Sequence, residues 1–106
     1  MRFKKNADFY NRNTRLLNYI YNIIDNNDVG YLQDKEHFDK WYVYKKEWVL
    51  KRPINIIIDN VLIHVNKNDT LVLYNKEQFE IHINGVYRIS FLLMDINNIS
   101  FDIRKY

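Results

Sequence analysis

The amino-acid sequence predicts an α+β fold, and three observations support this prediction. Residues ahead of Pro53 repeat their apolar side chains with the period of a helix, whereas residues after Pro53 repeat them with the period of a strand. Short breaks rich in Asn, Asp and Gly separate the later apolar runs, and such short connections force antiparallel neighbours. We therefore expect an N-terminal helix (8–26) and a second helix (35–49), packed on an antiparallel meander of five or six strands (54–104). A chain of 106 residues fits a single domain, 1–106.

The first helix is predicted by an apolar stripe within residues 8–26. At about 100° per residue, its large apolar side chains fall on one arc and its Asn, Arg and Asp side chains on the other. Asp8 is suited to cap the helix because its carboxylate can accept a free first-turn N–H. Asn26, Asn27 and Gly30 are stop signals. The stripe consists of Phe9, Leu16, Leu17, Ile20, Tyr21, Ile23 and Ile24.

The segment 34–50, DKEHFDKWYVYKKEWVL, is compatible with two structures. As a helix over 35–49, it places Phe38, Trp41, Tyr42, Lys45 and Val49 on one face, with Asp34 as a possible cap. As strands, its WYVY run is rich in residues that favour sheets and could pair with residues 48–50 across the intervening KKE. We expect the helix.

Six short segments after Pro53 alternate apolar and polar side chains. They lie near 54–58, 61–65, 71–73, 79–83, 87–93 and 99–103. A two-residue turn at Asp59-Asn60 would pair Ile58 with Val61 and leave the apolar side chains of both strands on one face. This is the simplest register for the first hairpin.

A second hairpin is predicted around Asn84-Gly85, where a two-residue turn would mix apolar and polar faces. A three-residue loop, 83–85, with Gly85 in the left-handed conformation, restores the separation. In that register Ile81 faces Tyr87, Phe79 faces Ile89, Glu80 faces Arg88 and His82 faces Val86. The polar side chains of both strands then share the outer face.

Composition restricts the classes of function. The chain has no cysteine, which excludes disulfides and thiol catalysis, and no apolar run approaches the ~20 residues of a membrane span. The basic N-terminus lacks the apolar run of a signal peptide, so a cytoplasmic location is expected. Asn, Ile, Lys and Tyr, all with AT-rich codons, make up almost half of the chain and suggest a low-GC bacterium or its phage. The net charge of +3 is too small to predict a nucleic-acid partner by itself.

Catalytic and metal-binding patterns are weak in this sequence. Its two glycines, Gly30 and Gly85, cannot form a glycine-rich phosphate loop, and no nucleophile motif surrounds its serines. His64, His82 and Glu80 could approach one another if strands 61–65 and 79–83 were neighbours, but the two histidines lack the close spacing of zinc motifs. We therefore predict a non-enzymatic protein without metal or cofactor.

The segment 40–52, KWYVYKKEWVLKR, interleaves aromatic and basic side chains and is the strongest candidate binding site. Its aromatic side chains suit protein-interface hot spots, and the same mixture suits single-stranded nucleic acid. A third reading is that the aromatic side chains belong to the core and the lysines are solvated. The candidate partner-binding residues are Tyr44, Lys45, Lys46, Trp48, Lys51 and Arg52.

A resemblance to RelE/ParE-type toxins rests on the basic start MRFKK, the helical stretch after it and the late GVYRISFLLMDINNISFDIRKY. It covers about a third of the chain. The resemblance implies a ribosome-dependent RNase or a gyrase inhibitor, with Arg88, Arg104 and Tyr106 near a basic sheet that faces RNA. The chain departs from this family by having two or more additional strands between residues 54 and 83.

The sequence favours a small protein-binding module, an inhibitor, antidefence or immunity-type protein that acts by covering its target. A nucleic-acid-binding module, or a RelE/ParE-like RNase toxin, is the alternative.

Overall fold

The computed structural model describes the backbone of residues 3–32, 37–38 and 44–103, and the side chains of residues 14–32 and 45–103. One helix precedes a series of short strands, and a single 3₁₀ turn at Leu93–Asp95 joins the last two. The helix α1 spans Phe3–Asn26. The strands are β1 Gly30–Leu32, β2 His37–Phe38, β3 Tyr44–Leu50, β4 Ile54–Ile58, β5 Val61–Val65, β6 Thr70–Tyr74, β7 Gln78–Ile83, β8 Tyr87–Leu92 and β9 Ile99–Asp102.

The strands form two antiparallel sheets. The large sheet has the order β1-β3-β6-β7-β8, and β2 pairs with β3 on the same side as β1. The small sheet has the order β5-β4-β9. The α+β class is therefore confirmed, but the expected single meander of five or six strands is wrong.

The chain makes two sheets because it leaves the large sheet at Pro53 and returns at Asp69. Between these points it forms the β4–β5 hairpin, and the strand that pairs with β3 is β6. Two backbone hydrogen bonds fix the return: Leu50 donates to the carbonyl of Asp69 at 2.9 Å, and Asn68 donates to that of Leu50 at 2.9 Å. The last strand, β9, then crosses back to pair with β4.

The predicted N-terminal helix is present, but it begins five residues earlier than the expected residue 8. It starts at Phe3, so Asp8 lies inside the helix and cannot be its N-cap, and the basic start of the chain is helical from Phe3 onward. Its end at Asn26 agrees with the predicted stop signals. Among the described side chains of the apolar stripe, Leu17, Ile20 and Ile24 are buried, while those of the opposite arc are exposed. No helix in the described ranges is both long and apolar enough to cross a membrane.

The expected second helix over 35–49 is wrong where the structure describes that range. His37–Phe38 and Tyr44–Leu50 are strands, paired with each other and, through β3, with β1 and β6. Aromatic and β-branched side chains pack well on a pleated surface. Here long-range pairing with β6 supplies that surface, which the local helical spacing could not reveal.

The first hairpin has the predicted register. Ile54 lies opposite Val65, Ile56 opposite Ile63, and Ile58 opposite Val61. Both turn residues have positive φ, 48° at Asp59 and 71° at Asn60, as a tight two-residue hairpin requires. Val61 nevertheless remains exposed at the end of the hairpin.

The second hairpin has the predicted faces but a different register. Its loop is 84–86, so Ile83 lies opposite Tyr87, Ile81 opposite Ile89 and His82 opposite Arg88. Glu80 therefore faces Ser90 and not Arg88. Asn84 and Gly85 both have positive φ, at 56° and 72°. The loop therefore begins one residue later than the expected loop of 83–85.

One core joins the helix and both sheets. On the large-sheet side, the rings of Tyr21 and Trp48 pack at a centroid distance of 5.6 Å. On the small-sheet side, the ring of Tyr19 lies 6.1 Å from that of Phe101. The helix thus bridges the inner faces of the two sheets.

Asp69 is a buried carboxylate that ties the loop before β6 to the β7–β8 turn. Its Oδ2 accepts the backbone N–H of Asn66 and its Oδ1 accepts that of Asn84, each at 3.0 Å. These two hydrogen bonds connect the backbone of Asn66, before β6, to the backbone of Asn84, in the β7–β8 turn. Both bonds are partly buried, and removing the acceptor from such a donor is costly.

Replacing Asp69 with Ala should lower the free energy of unfolding by about 1–3 kcal/mol, because two backbone donors lose their acceptor. Urea denaturation followed by circular dichroism measures this change. Asp69→Asn, which keeps the shape but only one acceptor oxygen, should fall between the wild type and the alanine variant. A loss no larger for Ala than for Asn would contradict the assigned role.

Candidate functional site

The aromatic-basic segment predicted as the binding site is divided by the alternation of β3. Lys46, Trp48 and Leu50 point to the inner face, and Lys45, Glu47 and Val49 point to the outer face of the large sheet, as their partners in β6 show. Trp48 is only 1% exposed and packs in the core. Over its described side chains, 45–52, the segment is therefore divided between two faces of the sheet.

Lys46 is held on the inner side of the sheet by two aromatic rings. Its Nζ lies 4.0 Å from the centroid of the Tyr21 ring and 5.2 Å from that of the Trp48 ring. A cation over aromatic faces is stabilised by their electrostatic quadrupoles. The basic and aromatic character of this part of the segment therefore serves an intramolecular contact.

The other cations of the segment whose side chains are described, Lys45, Lys51 and Arg52, also have partners within the chain. Lys45 contacts Glu47 at 2.7 Å and lies 5.7 Å from the centroid of the Tyr74 ring. Lys51 bonds to Asp28 at 2.5 Å, and this hydrogen bond and charge lower the pKa of the Asp28 carboxyl. Arg52 donates from Nη2 to the carbonyl of Asn27. The remaining predicted residue, Tyr44, begins β3, but its side chain lies outside the described part, as do Lys40, Trp41 and Tyr42.

The outer face of the large sheet contains a polar cluster centred on Glu80. Its Oε1 accepts a hydrogen bond from His82 Nε2 at 2.8 Å. Its Oε2 accepts from Ser90 Oγ at 2.9 Å and from Gln78 Nε2 at 2.8 Å. Beside it, Val72 is fully buried on the same face. The cluster therefore consists of one buried carboxylate with three hydrogen-bond donors, of which His82 and Gln78 are partly buried and Ser90 is exposed.

Burial acts to raise the pKa of Glu80, but the bonds from His82, Ser90 and Gln78 outweigh it, and the pKa lies below its ordinary value. Burial raises the pKa of the neighbouring Tyr74, and the charge of Glu80 adds to this effect. Ser90 and His82 donate to different oxygens of the same carboxylate, so the three side chains form one hydrogen-bond network. The cluster connects β7 to β8.

Strands β5 and β7 are not neighbours, so the condition under which His64 could approach Glu80 and His82 is not met. His64 lies in β5 of the small sheet, where Nδ1 contacts Asn55 Oδ1 at 2.8 Å and Nε2 contacts Asn66 Oδ1 at 3.0 Å. Glu80 and His82 lie in β7 of the large sheet. Among the residues whose positions are described, no group of three or more His, Asp or Glu could hold a metal ion.

A third feature, missed in the sequence, is an apolar band along β8, which we define as residues 86–94. Val86 is 86% exposed, Tyr87 61%, Leu92 45% and Met94 46%. Within the described ranges β8 pairs with β7 alone, so it forms one edge of the large sheet. The sequence does carry a signal for this band: VYRISFLLM contains a single charged residue, Arg88.

Comparison with known protein families, with characterised proteins and with solved structures found no match.

Replacing Trp48 with Ala should cost about 3–5 kcal/mol of folding stability, because it removes a large buried side chain from the core. Thermal and urea unfolding of the variant measure this cost. Lys51→Ala, which removes an exposed side chain of the same segment, serves as the control and should change stability far less. A Trp48 variant as stable as wild type would contradict the core assignment.

Glu80 should make folding stability depend on pH in the acidic range. Since its folded pKa lies below the ordinary 4.5, its contribution is present above that value and is lost as the pH falls through the folded pKa. Urea unfolding from about pH 7 to about pH 3 should therefore show a wild-type advantage over Glu80→Gln that shrinks with acidity. An advantage that is constant across this range would contradict the prediction.

Proposed function

We propose that this chain is a small, non-enzymatic protein-binding module that binds its partner through the apolar band, 86–94. In this proposal it is an inhibitor, antidefence or immunity-type protein of a low-GC bacterium or its phage, and it acts in the cytoplasm by covering part of its target. The observation that carries the proposal is the exposure of large apolar side chains along the β8 edge.

The exposed apolar side chains are concentrated in this band. Of the nine large apolar residues that are exposed in the described part, four lie between Val86 and Met94. Exposed large apolar side chains that are grouped together mark candidate sites of interaction. Here they lie on both faces of the edge, because Tyr87 is opposite Ile83 on the inner face and Leu92 is opposite Gln78 on the outer face. The rest of the nine are distributed over α1, β1 and β5.

The edge also lacks the usual protection against pairing with other chains. Natural edge strands carry lysines, prolines or inward-pointing charges that discourage such pairing. The band contains no lysine and no proline, and Arg88 is its one charge. An edge left open in this way supports a role in binding another polypeptide.

The predicted site at Tyr44, Lys45, Lys46, Trp48, Lys51 and Arg52 has less support as the primary contact. Trp48 is buried, and the described cations have the intramolecular contacts given above. In the strand order, β6 and β7 lie between β3 and β8, a separation of about 14 Å at ~4.8 Å per strand. The segment and the band are thus different surfaces.

The nucleic-acid alternative, including a RelE/ParE-like toxin, also has less support. Phosphate binding requires cations that are free to contact the backbone. Lys45 and Lys51 each contact a carboxylate, and Lys46 lies over aromatic rings. Of the residues that the resemblance places at an RNA-facing sheet, Arg88 is exposed on β8, while Arg104 and Tyr106 lie outside the described part.

A comparison of two double variants tests the proposal. Wild type, Val86→Ser/Tyr87→Ser and Val61→Ser/Leu62→Ser are each immobilised and used to capture proteins from the native host. Val61 and Leu62 are 61% and 59% exposed on β5, so the second variant removes similar exposed apolar surface from the other sheet. Circular dichroism and thermal unfolding confirm that each variant is folded.

The band variant should capture its partner about tenfold less or worse, because truncation of interface hot spots costs more than 1 kcal/mol each. The β5 variant should capture it as the wild type does. Equal capture by all three proteins would remove the band as the binding site. Capture of an RNA that is lost in high salt, in place of a protein, would support the alternative.

A further inference from the structure

We propose that the β8 edge binds its partner by strand addition, and that the added strand carries an acidic side chain opposite Arg88. This inference rests on the proposed protein-binding function and specifies the chemistry of the partner. The partner segment is extended, with apolar side chains on one face and at least one Asp or Glu on the other.

The backbone of β8 defines the first requirement. The strand spans six residues, 87–92, and pairs on one side with β7. Along such an edge, every second residue directs its N–H and C=O away from the sheet. An extended peptide can satisfy these groups with its own backbone, and this is how edge strands recognise peptides in other proteins.

The inner face of β8 defines the second requirement. Phe91 and Ile89 lie opposite Phe79 and Ile81, which are fully buried, yet both β8 side chains are only partly buried. Tyr87, the third side chain on this face, is exposed. The core therefore ends in an incompletely covered row. Apolar side chains at alternate positions of an added strand would cover that row.

The outer face of β8 defines the third requirement. Arg88 lies opposite His82, is exposed, and makes no ion pair with any described residue. The neighbouring carboxylate, Glu80, is already bonded to Ser90, His82 and Gln78. In a strand added to this edge, the residue directly opposite Arg88 would have its Cβ about 5 Å from the Cβ of Arg88. An acidic side chain at that position would pair with the Arg88 cation.

The charge of the band argues against β8 of a second copy as the occupant. Residues 86–94 contain no Asp or Glu, so no register of β8 against another β8 places a carboxylate opposite Arg88. The proposal therefore assigns the added strand to a different polypeptide, and pairing with another edge of a second copy, such as β9 with its Asp102, is an outcome that the test below must detect. Specificity would come from the acid, and most of the affinity from backbone pairing and apolar contact.

Synthetic peptides test the inference without knowledge of the natural partner. The probe is a fluorescent, end-capped eight-residue peptide that alternates Val and Glu, and its control alternates Val and Lys. Two further forms of the Val–Glu peptide carry N-methyl groups on every second residue. One form is methylated at the odd positions and the other at the even positions, so each form blocks the backbone N–H groups along one edge of the extended peptide. Binding is measured by fluorescence anisotropy, and hydrogen exchange reports protection of residues 87–92.

We expect the Val–Glu peptide to bind about tenfold or more tightly than the Val–Lys peptide, as a close charge pair predicts. Arg88→Glu should reverse this preference. Arg15→Glu makes the same change of net charge at an exposed position of α1 and should leave the preference intact. One N-methylated form should lose binding while the other retains it, because only one edge of the peptide can pair with β8.

Three results would overturn the inference. The first is that the Val–Glu peptide does not bind at concentrations up to about 1 mM. The second is that both N-methylated forms bind as tightly as the parent peptide. The third is that Arg15→Glu changes the preference for Val–Glu over Val–Lys as much as Arg88→Glu does. A chain that dimerises through residues 87–92, seen by sedimentation and hydrogen exchange, would assign the edge to a second copy instead.

Failure of this inference can be separated from failure of the proposed function. If the peptides do not bind but Val86→Ser/Tyr87→Ser still abolishes capture of a protein partner, the band is an interface without strand addition. If the peptides bind as expected but capture does not depend on the band, strand addition is a property of the edge and the proposed function is wrong.

Discussion

The pairing of β3 with β6 is the constraint on which the rest of the structure depends. These strands are separated in the chain by the whole β4–β5 hairpin, and the bonds between Leu50 and residues 68–69 bring them together. Once β6 is fixed, β7 and β8 follow by short turns, and the position of the open edge is determined. The same return point places Asp69 where it can hold the β7–β8 turn. The position of the β8 edge thus depends on a pairing that lies two strands away, between β3 and β6.

The aromatic and basic residues of β3 have different roles on the two faces of the strand. On the inner face, Lys46, Trp48 and Tyr21 form a stack that couples the helix to the sheet. On the outer face, Lys45 belongs to a charged row with Glu47. Composition alone suggests a recognition surface here, whereas the alternation of a strand divides the same residues between core packing and surface pairing.

Local patterns in the sequence predicted the elements better than their arrangement. The period of two after Pro53 identified all six later strands, and turn chemistry at Asp59-Asn60 fixed the first register. The second register was missed because two registers that differ by a shift of two keep every side chain on its face, so burial cannot distinguish them. The helix over 35–49 was expected because its helical spacing is local, while the pairing that makes Tyr44–Leu50 a strand is not. The open edge of β8 could not be predicted from the sequence because neighbours in a sheet are decided by long-range contacts.

Asp59 links the first hairpin to the end of the described chain. Its Oδ1 accepts the backbone N–H groups of Asn97 and Asn98 at 3.0 and 2.8 Å, and its own N–H bonds to the carbonyl of Asn98. The hairpin needs only sequence-local contacts, whereas these bonds close a loop of nearly forty residues. Loop closure of this length carries a larger entropic cost, and non-local pairing slows folding. Pairing of β9 with β4 therefore carries an entropic cost that the local β4–β5 hairpin does not, and the bonds to Asp59 offset part of that cost.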